Sequence, residues 1–195
     1  MQKITPCLWF DGRAEEAAEF YNSIFKDSKV GKIARYGEAG PGAPGTVMTV
    51  NFQIAGEEFM GLNGGPQFQF SPAVSFVVHC KNQRQVDHYW DRLIEGGAPS
   101  QCGWLTDKFG VSWQIVPNVL PKMLKAKDPE KARRVMAAML PMVKLDVKTL
   151  KDAYKGKGAG EQGQDGEAGT RSKRGKGTKA DKRAKADKRS KRDEA

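Results

Sequence analysis

Residues 104–117 read Trp-Leu-Thr-Asp-Lys-Phe-Gly-Val-Ser-Trp-Gln-Ile-Val-Pro, a turn followed by a segment in which apolar and polar residues alternate. Val111, Trp113 and Ile115 take the apolar positions, and the polar positions between them end at Gln114. Because successive side chains of a β-strand point to opposite faces of its sheet, the pattern predicts a strand with one apolar and one polar face. We expect packed helix on the first face and a pocket on the second.

The residues upstream of this strand show the same succession of patterns twice. The apolar helical stripe at 14–21 returns 72 positions later at 86–93, and runs of strand-like alternation flank each copy. An internal duplication of this kind predicts two strand–helix–strands modules, at about 1–66 and 71–117. We expect each module to bury one face of its sheet under its helix, with the two sheets side by side around a shared cleft. The predicted strands are 4–10, 30–36, 46–54, 57–63, 73–80, 99–105 and 111–116, and the predicted helix caps are Asp11 and Asn82.

A glycine-rich loop separates the second and third predicted strands. Gly40, Gly42 and Gly45 have the spacing of the dinucleotide-binding fingerprint. That fingerprint works because its glycines open a helix whose amino terminus meets the pyrophosphate. Here two prolines interrupt the glycines and a strand follows, so the loop is interpreted as a hairpin connection. It argues against a nicotinamide- or adenosylmethionine-binding domain.

The 195-residue chain has a net charge of +10 that is unevenly distributed. No apolar residue larger than Ala follows Tyr154, and residues 156–195 contain 13 Lys/Arg and 7 Asp/Glu. This composition predicts one folded domain at 1–155, with helices at 118–155, followed by a disordered basic tail at 156–195. The tail could associate weakly and non-specifically with nucleic acid or could serve only solubility, and the sequence leaves both interpretations open.

The chain carries no signal of export or of membrane insertion. It has no 18-residue apolar run and no hydrophobic core near its amino terminus, so we expect a soluble cytoplasmic protein without membrane contact. Cys7, Cys80 and Cys102 show no Cys-x-x-Cys spacing. They predict reduced, packed thiols rather than a disulfide framework or a zinc site.

The ordered motifs of residues 1–155 resemble the PhnB-like branch, often labelled demethylubiquinone methyltransferase-like, of the vicinal oxygen chelate (glyoxalase/bleomycin-resistance) superfamily. The resemblance implies an α+β fold of paired βαβββ modules, usually in a homodimer. The methyltransferase label has no support from a cofactor motif in this sequence. The motifs that carry the resemblance are Pro-Cys-Leu-Trp-Phe-Asp-Gly (6–12), Ala-Glu-Glu-Ala-x-x-Phe-Tyr (14–21), Leu-x-x-Gly-Gly (93–97), Trp-x-x-Asp-x-Phe-Gly-x-x-Trp-Gln (104–114) and Lys-Ala-Arg-Arg-Val-Met-x-Ala-Met (131–139).

Chemistry in that superfamily usually rests on a divalent metal held by His, Glu or Gln from strands of both modules. The resemblance places those positions at Ile4 or Thr5, near Leu62, at Ser75 and at Gln114. Only Gln114 offers a plausible donor, because imidazole and carboxylate ligands are missing. We therefore predict no metal and no cofactor, and a divalent metal stays open only as an alternative with an incomplete ligand set.

Three functional hypotheses follow. The first is a metal-free protein that binds an unidentified small organic ligand between its modules. The second is a metal-dependent or His-assisted enzyme of the glyoxalase/dioxygenase type, with His79 as a weak catalytic candidate. The third is a nucleic-acid-associated protein that acts through its tail. The candidate pocket residues are Thr49, Asn51, Gln53, Asn63, Ser75, Trp104 and Gln114.

Overall fold

A computed structural model describes residues 2–157, so most of the predicted basic tail lies outside the described residues. The strands are β1 (Cys7–Phe10), β2 (Lys29–Arg35), β3 (Val47–Ile54), β4 (Glu57–Asn63), β5 (Ser75–Cys80), β6 (Ala98–Pro99), β7 (Trp104–Thr106) and β8 (Ser112–Pro117). The helices are α1 (Ala14–Ile24), α2 (Gln83–Leu93), α3 (Val119–Leu124), α4 (Pro129–Met139) and α5 (Val147–Lys155). Within 2–157, none of these helices is long and apolar enough to cross a membrane.

The strands form two four-stranded sheets with the same mixed topology. Sheet A has the order β1-β4-β3-β2, and sheet B has the order β5-β8-β7-β6. In each sheet the module's first strand runs parallel to its last, while the other neighbours are antiparallel. The α+β fold of paired βαβββ modules is therefore confirmed. The glycine loop connects β2 to β3 as a hairpin, as predicted.

One hydrophobic core joins the two modules. In sheet A, Val50 and Phe52 point into this core under α1, and in sheet B, Trp113 and Ile115 point into it under α2. The ring centroids of Tyr21 on α1 and Trp113 on β8 lie 5.4 Å apart, so the core is continuous across the module boundary. The prediction that β8 packs its aromatic face inward is borne out by this geometry.

A continuous core corrects the expected arrangement of the two sheets. Aromatic side chains fill the centre of the boundary between the modules, such as Phe59 against Phe76 at 5.3 Å, and a cavity of about 300 Å³ stays open at its edge between Phe10 and Phe109. Since side chains alternate along a strand, the polar faces of both sheets point away from this core. A single chain thus carries two separate polar faces.

Helices α3, α4 and α5 form a second apolar cluster beside sheet B. Its buried members are Leu120, Val135, Leu145 and Leu150. Asp128 and Asp146 accept hydrogen bonds from first-turn amides as N-caps of α4 and α5, and left-handed Gly156 ends α5. The backbone carbonyls of Met142 and Val143 then fix the turn before β7 by accepting from Cys102 and Gly103.

Three predicted local details are wrong. Asp11 does not cap α1: the chain turns at Gly12 (φ +72°), and the helix starts only at Ala14. The segment expected as one strand at 99–105 is split into β6 and β7, because Cys102 and Gly103 both adopt positive φ. The first strand begins at Cys7 rather than at residue 4, which agrees with the restriction imposed by Pro6.

Candidate functional site

The polar face of sheet A carries the predicted row of Thr49, Asn51 and Gln53 on β3. These residues alternate with the buried Val50 and Phe52, so all three side chains share the face that points away from the core. A cavity of about 470 Å³ opens on this face, with Asn51 and Gln53 among its lining residues. Thr49 lies further along the strand and does not line the cavity.

Two lysines that carry no distinctive sequence pattern also line this cavity. Lys29 and Lys32 are three residues apart on β2, and a register shift between Val30 and Ile33 is what lets both reach one cavity. Gly31 permits the close strand approach, because a Cβ there would lie 2.9 Å from the carbonyl oxygen of Asn51. Only knowledge of the β-bulge would have shown that the two lysines line one cavity. The local sequence pattern does not indicate this bulge.

The polar face of sheet B carries Ser75, Trp104 and Gln114. The side-chain amide of Gln114 donates to the hydroxyl of Ser75 at 2.9 Å, and Trp104 is the direct neighbour of Gln114 across β7 and β8. On β5, exposed Val77 pairs with Gln114 in register, and exposed His79 follows on the same face. The structure therefore brings these predicted residues together, but on a different face from Asn51 and Gln53.

Asn63 differs from the other predicted pocket residues because both ends of its amide serve the fold. Its Oδ1 accepts from the backbone N–H of Ala14 at 2.9 Å, and its Nδ2 donates to the carbonyl of Val47 at 3.0 Å. Asn63 thus provides the hydrogen-bond acceptor for the first helical amide of α1, which is the capping role predicted for Asp11. The side chain is 8% exposed and lies 49 positions from its helix, so no local pattern could show this pairing.

Comparisons with known proteins place the chain in a family. Residues 2–116 match the family model described as 3-demethylubiquinone-9 3-methyltransferase. The chain belongs to this PhnB-like family. The solved PhnB protein of Bacillus cereus is 41% identical, and the match covers 60% of this chain and 99% of that chain with a TM-score of 0.55. The predicted PhnB-like, demethylubiquinone methyltransferase-like family is confirmed.

Two further solved structures are more distant. A Pseudomonas aeruginosa protein is 19% identical over 60% of this chain and 98% of that chain, with a TM-score of 0.51. A glyoxylase/bleomycin resistance protein/dioxygenase domain from Frankia is 14% identical over 60% and 92%, with a TM-score of 0.41. The search of curated proteins found no match.

The residues at the superfamily's metal positions do not fit a metal in this PhnB-like chain. Ser75 and Gln114 are hydrogen-bonded to each other, and neither supplies an imidazole or carboxylate. Among residues 2–157, no group of three His, Cys, Asp or Glu side chains could hold a metal ion. We therefore derive no step through a metal, and metal-free binding stays a prediction.

Asp107 is the most completely enclosed carboxylate among the described residues. Its Oδ2 accepts from Tyr21 Oη and Trp113 Nε1, both at 2.8 Å, and its Oδ1 accepts from the backbone amides of Phe109 and Val111. Burial raises the pKa of Asp107 above its ordinary value, although the donors act to lower it. All four partners belong to the fold, so this PhnB-like chain uses Asp107 to join α1 to sheet B.

Replacement of Asn63 by Ala should lower the free energy of unfolding by about 2 kcal/mol, because it leaves the buried amide of Ala14 and carbonyl of Val47 without partners. Urea denaturation monitored by circular dichroism measures the change. Asn51→Ala is the matched control, since exposed Asn51 has the same amide on the open face. If the two variants were equally stable, Asn63 would not be needed for the fold and would again be a candidate pocket residue.

Proposed function

We propose that this protein binds a small organic acid in a cleft that two copies of the chain build together. The cavity beside Asn51 and Gln53 carries the proposal, because it combines cations, amides and an apolar wall. Sheet A supplies that cavity, and the polar face of sheet B of a second copy supplies the opposite wall. The superfamily resemblance supports a homodimer of this kind.

The ligand class follows from the lining of the cavity. Lys29 and Lys32 provide positive charge, and the amides of Asn51 and Gln53 can donate hydrogen bonds to an oxyanion. The one carboxylate that lines the cavity, Glu58, already accepts a hydrogen bond from the backbone N–H of Gln2 at 3.2 Å. A carboxylate or similar anion therefore fits the polar end.

The remaining lining gives the ligand an apolar part. Met60, which pairs with Asn51 across β3 and β4, supplies this apolar surface. Phe52 and Phe59 border the cavity, but their side chains are buried in the core. Pockets that combine an apolar wall with a few placed polar groups are the usual form of small-molecule sites. The volume of about 470 Å³ lies within the range of such sites, and an aromatic or branched aliphatic acid matches this composition.

The second wall is proposed from the exposed face of sheet B. Val77 is 45% exposed in the single chain, and half-exposed Trp104 and Gln114 lie beside it. This face is apolar and hydrogen-bonding, and it would close an otherwise open cavity. His79 lies on the same face and would reach the rim of the cleft. Methyl transfer is not proposed, because the glycine loop closes a hairpin and opens no helix.

The experiment uses 8-anilinonaphthalene-1-sulfonate, an aromatic anion, as a fluorescent probe of the purified full chain. We expect saturable binding that aromatic carboxylates displace, and native mass spectrometry should show a dimer. Lys29→Gln/Lys32→Gln should weaken probe binding about tenfold or more, because losing even one charged hydrogen bond costs about 1.5–3 kcal/mol. Fluorescence titration measures the dissociation constants.

The matched control is Lys26→Gln/Arg92→Gln, which removes two exposed charges outside the cavity. This variant should bind the probe like the parent. If both double variants bind equally well, the lysines do not recognise the anion, and the proposed ligand class is wrong.

A further inference from the structure

The cavity of about 300 Å³ at the edge of the module boundary is lined mainly by aromatic rings. It shares no lining residue with the cavity beside Asn51 and Gln53. Strand β1 and the segment after β4 contribute from the first module, and the turn before β8 contributes from the second. We call this feature the aromatic cavity. Its aromatic lining residues are Trp9, Phe10, Phe68, Phe70 and Phe109.

The segment after β4 folds two of these rings against β1. The ring centroids of Trp9 and Phe68 lie 4.9 Å apart, and those of Phe10 and Phe70 lie 5.4 Å apart, both edge to face. The indole Nε1 of Trp9 donates to the carbonyl of Gly65 at 2.8 Å, which fixes the position of its ring. Phe68 is nevertheless 66% exposed, so it is not a core residue. The aromatic cavity therefore presents fixed ring surface to solvent.

Two cations of the chain itself already lie on this aromatic cluster. The Arg13 guanidinium carbon lies 4.5 Å from the ring centroid of Phe109, and the Lys108 ammonium lies 4.6 Å from that of Phe20. Such contacts form because the face of an aromatic ring carries partial negative charge. Both cations also pair with Glu16, at 2.9 Å and 3.3 Å. The ring faces at this end of the molecule therefore accept positive charge.

Asp11 adds a carboxylate to the aromatic lining. It is exposed, and within residues 2–157 it forms no salt bridge. Arg13 is the other charged residue of the lining, and its guanidinium is held by Glu16 through two hydrogen bonds of 2.9 Å. An anionic ligand would meet ring faces and the carboxylate of Asp11, both of which disfavour it. A cation is attracted by both.

We infer that the aromatic cavity binds a small organic cation, with a methylated ammonium group against the rings of Trp9 and Phe68 and beside Asp11. A primary ammonium has three N–H donors to satisfy, whereas a methylated one needs few acceptors and suits an aromatic lining. The volume of about 300 Å³ is at the lower end for small-molecule sites, so the ligand is small. This inference does not rest on the proposed acid-binding cleft, because the two sites have separate residues and opposite charge preference.

The test compares choline with its uncharged isostere, 3,3-dimethylbutan-1-ol, by isothermal titration calorimetry of the full chain. We expect choline to bind saturably and the isostere to bind about tenfold more weakly, because only choline gains from the ring faces and the carboxylate. Asp11→Asn should weaken choline binding about fivefold and leave the affinity of the isostere unchanged. Phe68→Leu should weaken choline binding about threefold, since it replaces a ring face with an aliphatic side chain.

Glu19→Gln is the matched control, because it removes an exposed carboxylate of α1 that does not line the aromatic cavity. This variant should bind choline like the parent. Equal affinities for choline and the isostere would overturn the inference and make the cavity a site for apolar groups. Failure of choline to bind would overturn it as well. If Phe68→Leu changed the oligomeric state in native mass spectrometry but not choline binding, the rings would instead be covered by a second copy of the chain.

Discussion

Replacement of Asp107 by Ala is expected to lower the free energy of unfolding by about 4–6 kcal/mol, a large part of the 5–15 kcal/mol that holds a typical domain folded. The carboxylate is 3% exposed and accepts four hydrogen bonds. Without it, the buried hydroxyl of Tyr21 and indole N–H of Trp113 lose their partner, as do two backbone amides. Urea denaturation followed by tryptophan fluorescence measures the loss.

Tyr21→Phe is the matched control because it removes one of the four donors and leaves the carboxylate in place. We expect it to cost about 1–2 kcal/mol. In a double-mutant cycle the two changes should be strongly non-additive, since both remove the same hydrogen bond. If Asp107→Ala costs no more than Tyr21→Phe, water must replace the carboxylate, and the two modules are joined mainly by their aromatic contacts.

Replacement of Val77 by Glu is expected to convert the proposed dimer into monomers and to abolish binding of the anionic probe. In the proposed cleft Val77 is covered by a second copy, and an unpaired buried carboxylate costs several kcal/mol. A penalty of about 3 kcal/mol raises the dissociation constant of the dimer more than 100-fold. Native mass spectrometry measures the oligomeric state, and fluorescence titration measures probe binding in the same sample.

Val143→Glu provides the comparison for Val77→Glu. Val143 is the same residue type, is 46% exposed, and lies between α4 and α5 outside both polar faces. We expect this variant to remain dimeric and to bind the probe. A dimeric Val77→Glu protein with unchanged probe affinity would show that the cavity of sheet A binds without a wall from a second chain.

Periodicity along the chain was sufficient to predict the elements and their order. The apolar stripe of α1 and the alternation around Trp113 depend on side chains that face one core, and such spacing is visible in a single sequence. The cap at Asn82 is equally local. The family resemblance supplied the paired modules, and the duplication of the helical stripe pointed to the same arrangement.

Features that depend on distant contacts could not be predicted. The pairing of Asn63 with Ala14 joins the end of β4 to the start of α1, while Asp11 offered a misleading local cap. In the sequence alone, Lys29 and Lys32 look like solvated charges on a strand. Only the β-bulge of the structure shows that both line one cavity. The orientation of the polar faces depends on how the modules pack, and alternation within each strand is the same for either orientation.

The shared core restricts how the two halves of the chain can vary. A duplicated unit normally leaves each copy free to accumulate substitutions while the other preserves the structure. Here Tyr21 from the first module contacts Asp107 and Trp113 from the second, so a substitution at these positions in one module alters the packing of the other. Although the chain consists of two similar modules, we expect them to unfold together as one cooperative unit.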